Sequence, residues 1–181
     1  MHFTLSDLVT DITQNACESG ADLVELDITE SEKEFRFVVK DNGKGMNKDE
    51  LKRAVDPFVT DGKKHPHRKV GLGIPFLIQT AVQSGGGWDI KSEKNVGTEV
   101  SAWFDAGNVD MPPVGDVSGM FRTIFMFTGP EELIIRRKRE TGGIPIEYEV
   151  RKSELIDTLE NLESTESLIL LDRYLRSMEE G

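Results

Sequence analysis

Two segments in which apolar and polar residues alternate follow each other closely in the sequence, LVELDIT at 23–29 and EFRFVVK at 34–40. Alternation with a period of two predicts strands that bury one face, and the short charged stretch between them predicts an antiparallel hairpin. The segments at 88–92 and 98–104, on either side of Gly97, predict a second hairpin. A chain with two such hairpins must cover one face of a sheet with other elements.

Helical spacing supplies those other elements. Thr4 is placed to cap a first helix, with Asp7 three residues later, and apolar residues then recur every three or four positions. Asn47 begins a second, shorter helix, and residues 74–84 predict a third, which Gly85 ends. This order predicts an α+β fold, a two-layer sandwich with the helices on one face of a mixed, mostly antiparallel sheet.

The chain length, 181 residues, suits one domain with an appendage. We predict a first domain over 1–105, a linker over 106–119 that is rich in glycine, proline and polar residues, and a C-terminal part over 120–181. In the C-terminal part the patterns predict strands and then two helices, at residues 120–129, 131–140, 144–150, 153–162 and 165–179. The appendage is therefore expected to be a small β-hairpin followed by two helices.

One apolar stripe on the last helix has two interpretations. Leu168, Leu171, Leu175 and Met178 recur at helical spacing, as expected for a helix that docks on the chain's own core. The same stripe also fits a homodimer interface.

Composition restricts the partners. With 33 acidic and 22 basic residues the net charge is −11, so we expect no nucleic-acid partner and no membrane surface. The single cysteine excludes an internal disulfide, and there is neither a signal peptide nor a long apolar run. We expect a cytoplasmic protein.

Polar residues at a spacing of four share one side of the first helix: Asp11, Asn15 and Ser19. They border the apolar stripe, where half-buried polar groups need partners. A hydrated Mg²⁺ ion bound to phosphate is a suitable partner, since Mg²⁺ takes oxygen ligands and keeps several waters. Ordinary exposed helix residues are the alternative interpretation.

The segment VVKDNGKGM, at 38–46, ends a buried strand in Asp41 and two glycines. A carboxylate there can accept a hydrogen bond from an exocyclic amine such as that of adenine. Gly43 and Gly45 would let a flat ring lie against the backbone. Asp-Asn-Gly is also a common turn sequence, so a purely structural role remains open.

The segment KVGLGIP, at 69–75, places two glycines directly before a helix. Free N–H groups and the helix dipole make such a start an anion site. The basic stretch before it, residues 63–69, is interpreted either as a lid over phosphates or as a solvated loop. His65 and His67 in that stretch favour an ordinary loop over a metal site.

Thr98, at the start of a strand, is expected to support Asp41 or a bound base, although Gly-Thr is also common in turns.

In their order along the chain, these motifs resemble those of the GHKL superfamily of ATP-binding domains. That superfamily contains gyrase-type topoisomerases, heat-shock chaperones, histidine kinases and MutL mismatch-repair proteins. The resemblance covers roughly residues 4–104 and implies a histidine-kinase-like ATPase fold that binds ATP and Mg²⁺. It implies that Asn15 ligates Mg²⁺ and that Asp41 hydrogen-bonds adenine. The cofactor-binding residues that it implies are Asn15, Ser19, Asp41, Gly43, Gly45, Met46, Lys69, Val70, Gly71, Leu72, Gly73, Ile74 and Thr98.

One residue departs from the family's pattern. Asp11 stands where hydrolysing members carry glutamate, and it is the candidate catalytic residue. Its side chain is one methylene shorter, and a general base must first be within hydrogen-bond reach. We therefore expect either an ATPase or a kinase that acts in trans on a protein partner, or a regulatory module that binds ATP without hydrolysing it. Because no helical hairpin precedes the first helix, a phosphoacceptor in cis is not expected.

Overall fold

The computed structural model describes residues 3–56 and 73–181, and these form one mixed sheet with helices. Their elements, in chain order, are α1 Leu5–Cys17, β1 Leu23–Glu30, β2 Glu34–Asp41, α2 Lys48–Val55, α3 Gly73–Gln83, β3 Gly87–Glu93, β4 Gly97–Asp105, α4 Val117–Phe125, β5 Glu132–Arg139, β6 Ile146–Arg151, α5 Lys152–Leu159 and α6 Thr165–Glu180. The predicted α+β sandwich is confirmed.

The sheet has the strand order β3-β4-β2-β1-β5-β6. Both predicted hairpins are present, and β2 pairs with β4 so that Asp41 lies opposite Thr98. The pair β1 and β5 is parallel, and all other neighbours are antiparallel. The mixed, mostly antiparallel character of the sheet is thus confirmed, and the parallel pair makes the C-terminal hairpin part of the same sheet.

Helix ends follow the signals in the sequence. Thr4 and Asp7 form a capping box at the start of α1, and Asn47 and Glu50 form another at the start of α2. After α3 the chain turns at Gly85, whose φ of +68° lies in the left-handed region that glycine adopts at low cost. The three N-terminal helices are therefore determined locally.

Apolar side chains from one face of the sheet meet the helices. Phe35, Phe37 and Val39 of β2 alternate with exposed or half-exposed residues and pack in the same core as Leu8 and Ile12 of α1. Burying such side chains stabilises the fold by about 1.5–3 kcal/mol each. The same core includes Leu171 and Leu175, so the stripe on α6 docks on the chain itself.

One predicted strand is wrong. Residues 120–129 were expected to be extended, but α4 covers Val117–Phe125. Asp116 caps this helix by accepting a hydrogen bond from the Gly119 N–H at 3.0 Å, and the buried apolar residues follow helical spacing. The aromatic and β-branched content that favoured a strand is overridden by packing on α1 and α6.

The segment expected to be a linker contacts the first helix. The backbone N–H groups of Leu5 and Ser6 donate to the carbonyls of Pro113 and Val114, both at 2.9 Å. These bonds satisfy donors that every helix start leaves unpaired. The division at residues 105 and 119 stays a prediction about folding units, and the structure shows contacts that cross it.

None of the helices in residues 3–56 and 73–181 is both long enough and apolar enough to span a bilayer.

Candidate functional site

Asp41, the last residue of β2, points to the side of the sheet that the helices cover and is 8% exposed. Its Oδ1 accepts hydrogen bonds from the Ser19 hydroxyl at 3.1 Å and from the Gly43 N–H at 2.8 Å. The Thr98 backbone N–H also donates to this carboxylate. Burial raises the pKa of Asp41, and these hydrogen bonds oppose the rise without cancelling it. The carboxylate is thus a buried acceptor with neutral donors.

The packing around the two glycines after Asp41 leaves no room for side chains at these positions. A Cβ at Gly43 would overlap the Ser19 hydroxyl, and a Cβ at Gly45 would overlap the Glu93 carbonyl oxygen. Gly45 also has a φ of +57°. The missing side chains therefore make room for the end of α1 and for the β3–β4 hairpin, and the predicted contact with a flat ring stays a prediction.

Asn42 has the structural role that the turn interpretation gives it. Its side-chain oxygen accepts hydrogen bonds from the backbone N–H groups of Asp22 at 2.9 Å and Leu23 at 3.0 Å. The loop is held further by the Asn95 N–H, which donates to the Lys44 carbonyl at 2.8 Å. These bonds fix the loop that carries Gly43 to Met46 against neighbouring elements.

Ser92 is a residue of the site that the sequence analysis missed. Its hydroxyl oxygen accepts from the Met46 N–H at 2.8 Å and lies 2.8 Å from the Thr98 hydroxyl. Thr98 therefore supports Asp41 through its backbone, while its hydroxyl pairs with Ser92. The sequence could have indicated Ser92 through the strand register of the hairpin around Gly97. In that register Ser92 lies directly opposite Thr98.

The polar ridge on α1 is more exposed than predicted. Asp11 and Asn15 are exposed and Ser19 is half-buried, so the expected half-buried edge holds only for Ser19. Asn15 nevertheless lies beside the start of α3: a Cβ built on Gly73 would be 3.5 Å from the Asn15 Nδ2. Two predicted parts of the site, the amide of α1 and the glycine that opens α3, are thus neighbours.

Several predicted residues lie outside the described part of the chain. These are Lys69, Val70, Gly71 and Leu72, together with the basic stretch that contains His65 and His67. Ile74, in the first turn of α3, is half-buried and packs against the core.

The side chains around α1, β2 and α3 include possible ligands for Mg²⁺ and ATP. Within residues 3–56 and 73–181 no group of three acidic, histidine or cysteine side chains is placed to hold a metal ion. Mg²⁺ bound to a nucleotide does not need such a group, because phosphate oxygens and waters supply most of its ligands. The side-chain amide of Asn15, whose Nδ2 lies beside the start of α3 and which also carries an oxygen ligand, and the buried acceptor Asp41 fit a magnesium nucleotide in their chemistry.

A shallow depression of about 300 Å³ covers the strand ends near Asp41. Ser92, Gly97 and Thr98 contribute to its lining. Asp41 is itself part of this lining, and Ser19, which bonds to Asp41, follows Asn15 by four residues.

The family model described as "Histidine kinase-, DNA gyrase B-, and HSP90-like ATPase" matches residues 3–108 of this chain. The chain belongs to this ATPase family. The GHKL resemblance of the motifs is confirmed, and the chain contains a GHKL-type ATP-binding domain. Elements α4, β5, β6, α5 and α6 lie beyond the matched residues.

Among solved structures, this chain is similar to the histidine kinase domain of the E. coli osmosensor EnvZ, determined by NMR. The two share 21% sequence identity with a TM-score of 0.39. The match covers 56% of this chain and 64% of the EnvZ domain, which is less than two thirds of that domain.

Proposed function

We propose that the protein binds ATP with Mg²⁺ and uses it enzymatically, as an ATPase or as a kinase acting in trans on a protein partner. The observation that carries the proposal is Asp41, a buried carboxylate at the edge of a depression, whose hydrogen-bond donors within residues 3–56 and 73–181 are all neutral. Burying a charge without a counter-charge costs free energy, and a ligand that donates to the carboxylate offsets part of that cost.

At the base end, the exocyclic amine of adenine is a neutral donor that suits the Asp41 acceptor. Thr98 and Ser92 hold the two strands and the loop around it, through the Thr98 N–H and the hydroxyl pair at 2.8 Å. These neighbours orient Asp41, and Asp41 is the residue to which we assign the recognition of adenine.

At the phosphate end, the roles fall to α1 and the start of α3. The first N–H groups of a helix and its dipole favour phosphate, and Gly73 brings this start beside Asn15. Mg²⁺, when bound, would neutralise phosphate charge during transfer. Asn15 is the residue that would hold it, and Asp11, one turn earlier on the same exposed ridge, would position or deprotonate an attacking water.

Calorimetric titration of the protein with ATP and Mg²⁺ tests the proposal. We expect binding by the wild type and a loss of about 10- to 100-fold in affinity for Asp41→Asn, since a hydrogen bond to a charged group contributes about 1.5–3 kcal/mol. The matched control is Asp27→Asn, which removes a carboxylate that is 43% exposed on the opposite face of the sheet. Equal affinity of Asp41→Asn and wild type would remove adenine recognition from Asp41.

A non-hydrolysing, ATP-gated regulatory module is the second candidate, and the identity of Asp11 favours it. Turnover of ATP separates the two. The enzyme proposal expects phosphate release, or phosphate transfer to a partner, from the wild type and its loss in Asp11→Asn. If both proteins bind nucleotide and neither turns it over, with or without cell extract as a source of partners, the module is the better description.

A further inference from the structure

We propose that Ser19 is a positioning residue for nucleobase selection: its hydroxyl holds the Asp41 carboxylate as an acceptor, and so makes the site prefer a 6-amino purine over a 6-oxo purine. The inference rests on the proposed function and adds a specificity device to the same site. Ser19 is predicted to bind the nucleotide, and in the structure its hydroxyl contacts Asp41.

The geometry places Ser19 at a junction of two elements. It lies two residues beyond the end of α1, and its backbone carbonyl accepts a hydrogen bond from the Lys44 N–H at 3.1 Å. Gly43 packs directly on its side chain. The Ser19 hydroxyl is therefore fixed relative to the loop that follows Asp41.

The hydroxyl has one proton and two acceptors within reach. The Ala16 carbonyl oxygen is 2.7 Å away and the Asp41 Oδ1 is 3.1 Å away. The carbonyl of Ala16 already accepts from the Ser19 backbone N–H at 3.2 Å. A charged acceptor forms the stronger hydrogen bond. While Asp41 is ionised, the hydroxyl proton thus supports the carboxylate.

Two of the three donors to Asp41 bond to the same carboxylate oxygen. Ser19 and Gly43 both donate to Oδ1 of Asp41, and neither uses Oδ2. An ionised carboxylate held in this way can only accept, so it suits the amine of adenine and repels the carbonyl oxygen of hypoxanthine. If the carboxylate rotates or gains a proton, it can donate to that carbonyl, and the discrimination weakens.

The ionisable groups around Asp41 do not replace Ser19 in this role. Cys17 of α1 is buried, and burial raises the pKa of its thiol to about 11, so it stays neutral. Around the depression lie Lys40, Lys91, Glu93 and Glu99, two cations and two anions. The three donors that bond to the Asp41 carboxylate are all neutral.

The test compares ATP with inosine triphosphate, which carries an oxygen in place of the 6-amino group. We expect the affinity ratio of ATP to inosine triphosphate to fall about tenfold in Ser19→Ala, because about 1.4 kcal/mol of hydrogen bonding to a charged group corresponds to that factor. The matched control is Ser84→Ala. Ser84 follows α3 much as Ser19 follows α1, and its hydroxyl donates to the helix carbonyl of Thr80 at 2.7 Å but has no bond to a carboxylate among the described residues.

A second measurement needs no nucleotide. In a carboxyl-carbon NMR titration of the nucleotide-free protein, the Asp41 pKa should be higher in Ser19→Ala than in wild type and Ser84→Ala, since a donor to the charged form is lost. An unchanged ratio and an unchanged Asp41 pKa in Ser19→Ala would overturn the inference. Failure of the wild type to bind any nucleotide would instead overturn the proposed function, and the two failures are therefore distinguishable.

Discussion

Two buried ionisable groups lie at opposite ends of the central strands, and their surroundings differ. Asp41, opposite Val24 in the sheet, is surrounded by a hydroxyl and backbone N–H groups. Arg137, opposite Ile28, is 1% exposed and contacts two carboxylates, Glu30 and Glu179. Carboxylates neutralise the charge of the arginine, whereas the donors to Asp41 within residues 3–56 and 73–181 are neutral.

The surroundings of Arg137 form a closed cluster that ties α6 to the C-terminal hairpin. Glu179 of α6 accepts from Arg137 Nε at 3.2 Å, from Arg139 Nη1 at 3.2 Å and from the Tyr148 hydroxyl at 2.6 Å. Burial raises the pKa of Tyr148, which keeps it a donor. We interpret this cluster as structural, because its charged groups already have partners.

The difference indicates where a ligand is needed. A buried charge that lacks a counter-charge destabilises the free protein, and such cost is retained where it serves binding or catalysis. Among the described residues, Asp41 accepts hydrogen bonds from neutral donors, whereas Arg137 contacts two carboxylates. This difference agrees with the proposed nucleotide site at the end of β2 and with a structural role for the cluster at the opposite end of the same strands.

The largest expected effect is on the Arg137 cluster. Arg137→Ala leaves two carboxylates without their buried partner, so we expect a loss of about 3–5 kcal/mol in the free energy of unfolding, measured with denaturant. The neighbouring Arg136 is the matched control: it contacts three carboxylates but is 38% exposed, and Arg136→Ala should cost less than about 1 kcal/mol. Similar losses in the two variants would contradict the structural assignment of Arg137.

The local parts of the molecule could be predicted from the sequence, and the long-range parts could not. The cap at Thr4, the two N-terminal hairpins and the position of Asp41 at a strand end depend on residues close in the chain. The parallel pairing of β1 with β5 joins segments about a hundred residues apart, which no local period reports. The same reason explains the error at α4, where packing on distant helices decides the conformation.

Within the site, the sequence predicted the positions of polar residues and glycines more reliably than the contacts that they make. Asp41 was predicted as a strand-end acceptor, and the structure places it so. The contact of Ser19 with Asp41, and of Gly45 with Glu93, joins elements whose relative positions only the fold defines. The packing contacts of the glycines could therefore not be predicted, although their positions could.

The stability of the wild type relative to Asp41→Asn should depend on pH. Its pKa in the folded protein is raised, so its contribution to stability is fully present below the pKa of the unfolded chain and is lost as pH rises through the folded pKa. The wild type, without nucleotide, should therefore become less stable relative to Asp41→Asn as pH rises above about 4. Melting temperatures of both proteins across pH measure the difference. If the wild type instead becomes more stable relative to Asp41→Asn as pH rises, ionisation of Asp41 does not destabilise the folded protein.

The smallest expected effect is at Ser92, whose network is neutral. Ser92→Ala removes the acceptor of the Met46 N–H and the partner of the Thr98 hydroxyl. We expect a loss of about 1 kcal/mol in the free energy of unfolding, as is usual for a neutral hydrogen bond. Because no charge is involved, this loss should be the same at pH 5 and pH 8, unlike the difference between wild type and Asp41→Asn. A loss that varied with pH would mean that Ser92 affects the ionisation of Asp41. The hydrogen bonds of Ser92 and the carboxylate of Asp41 would then be energetically coupled.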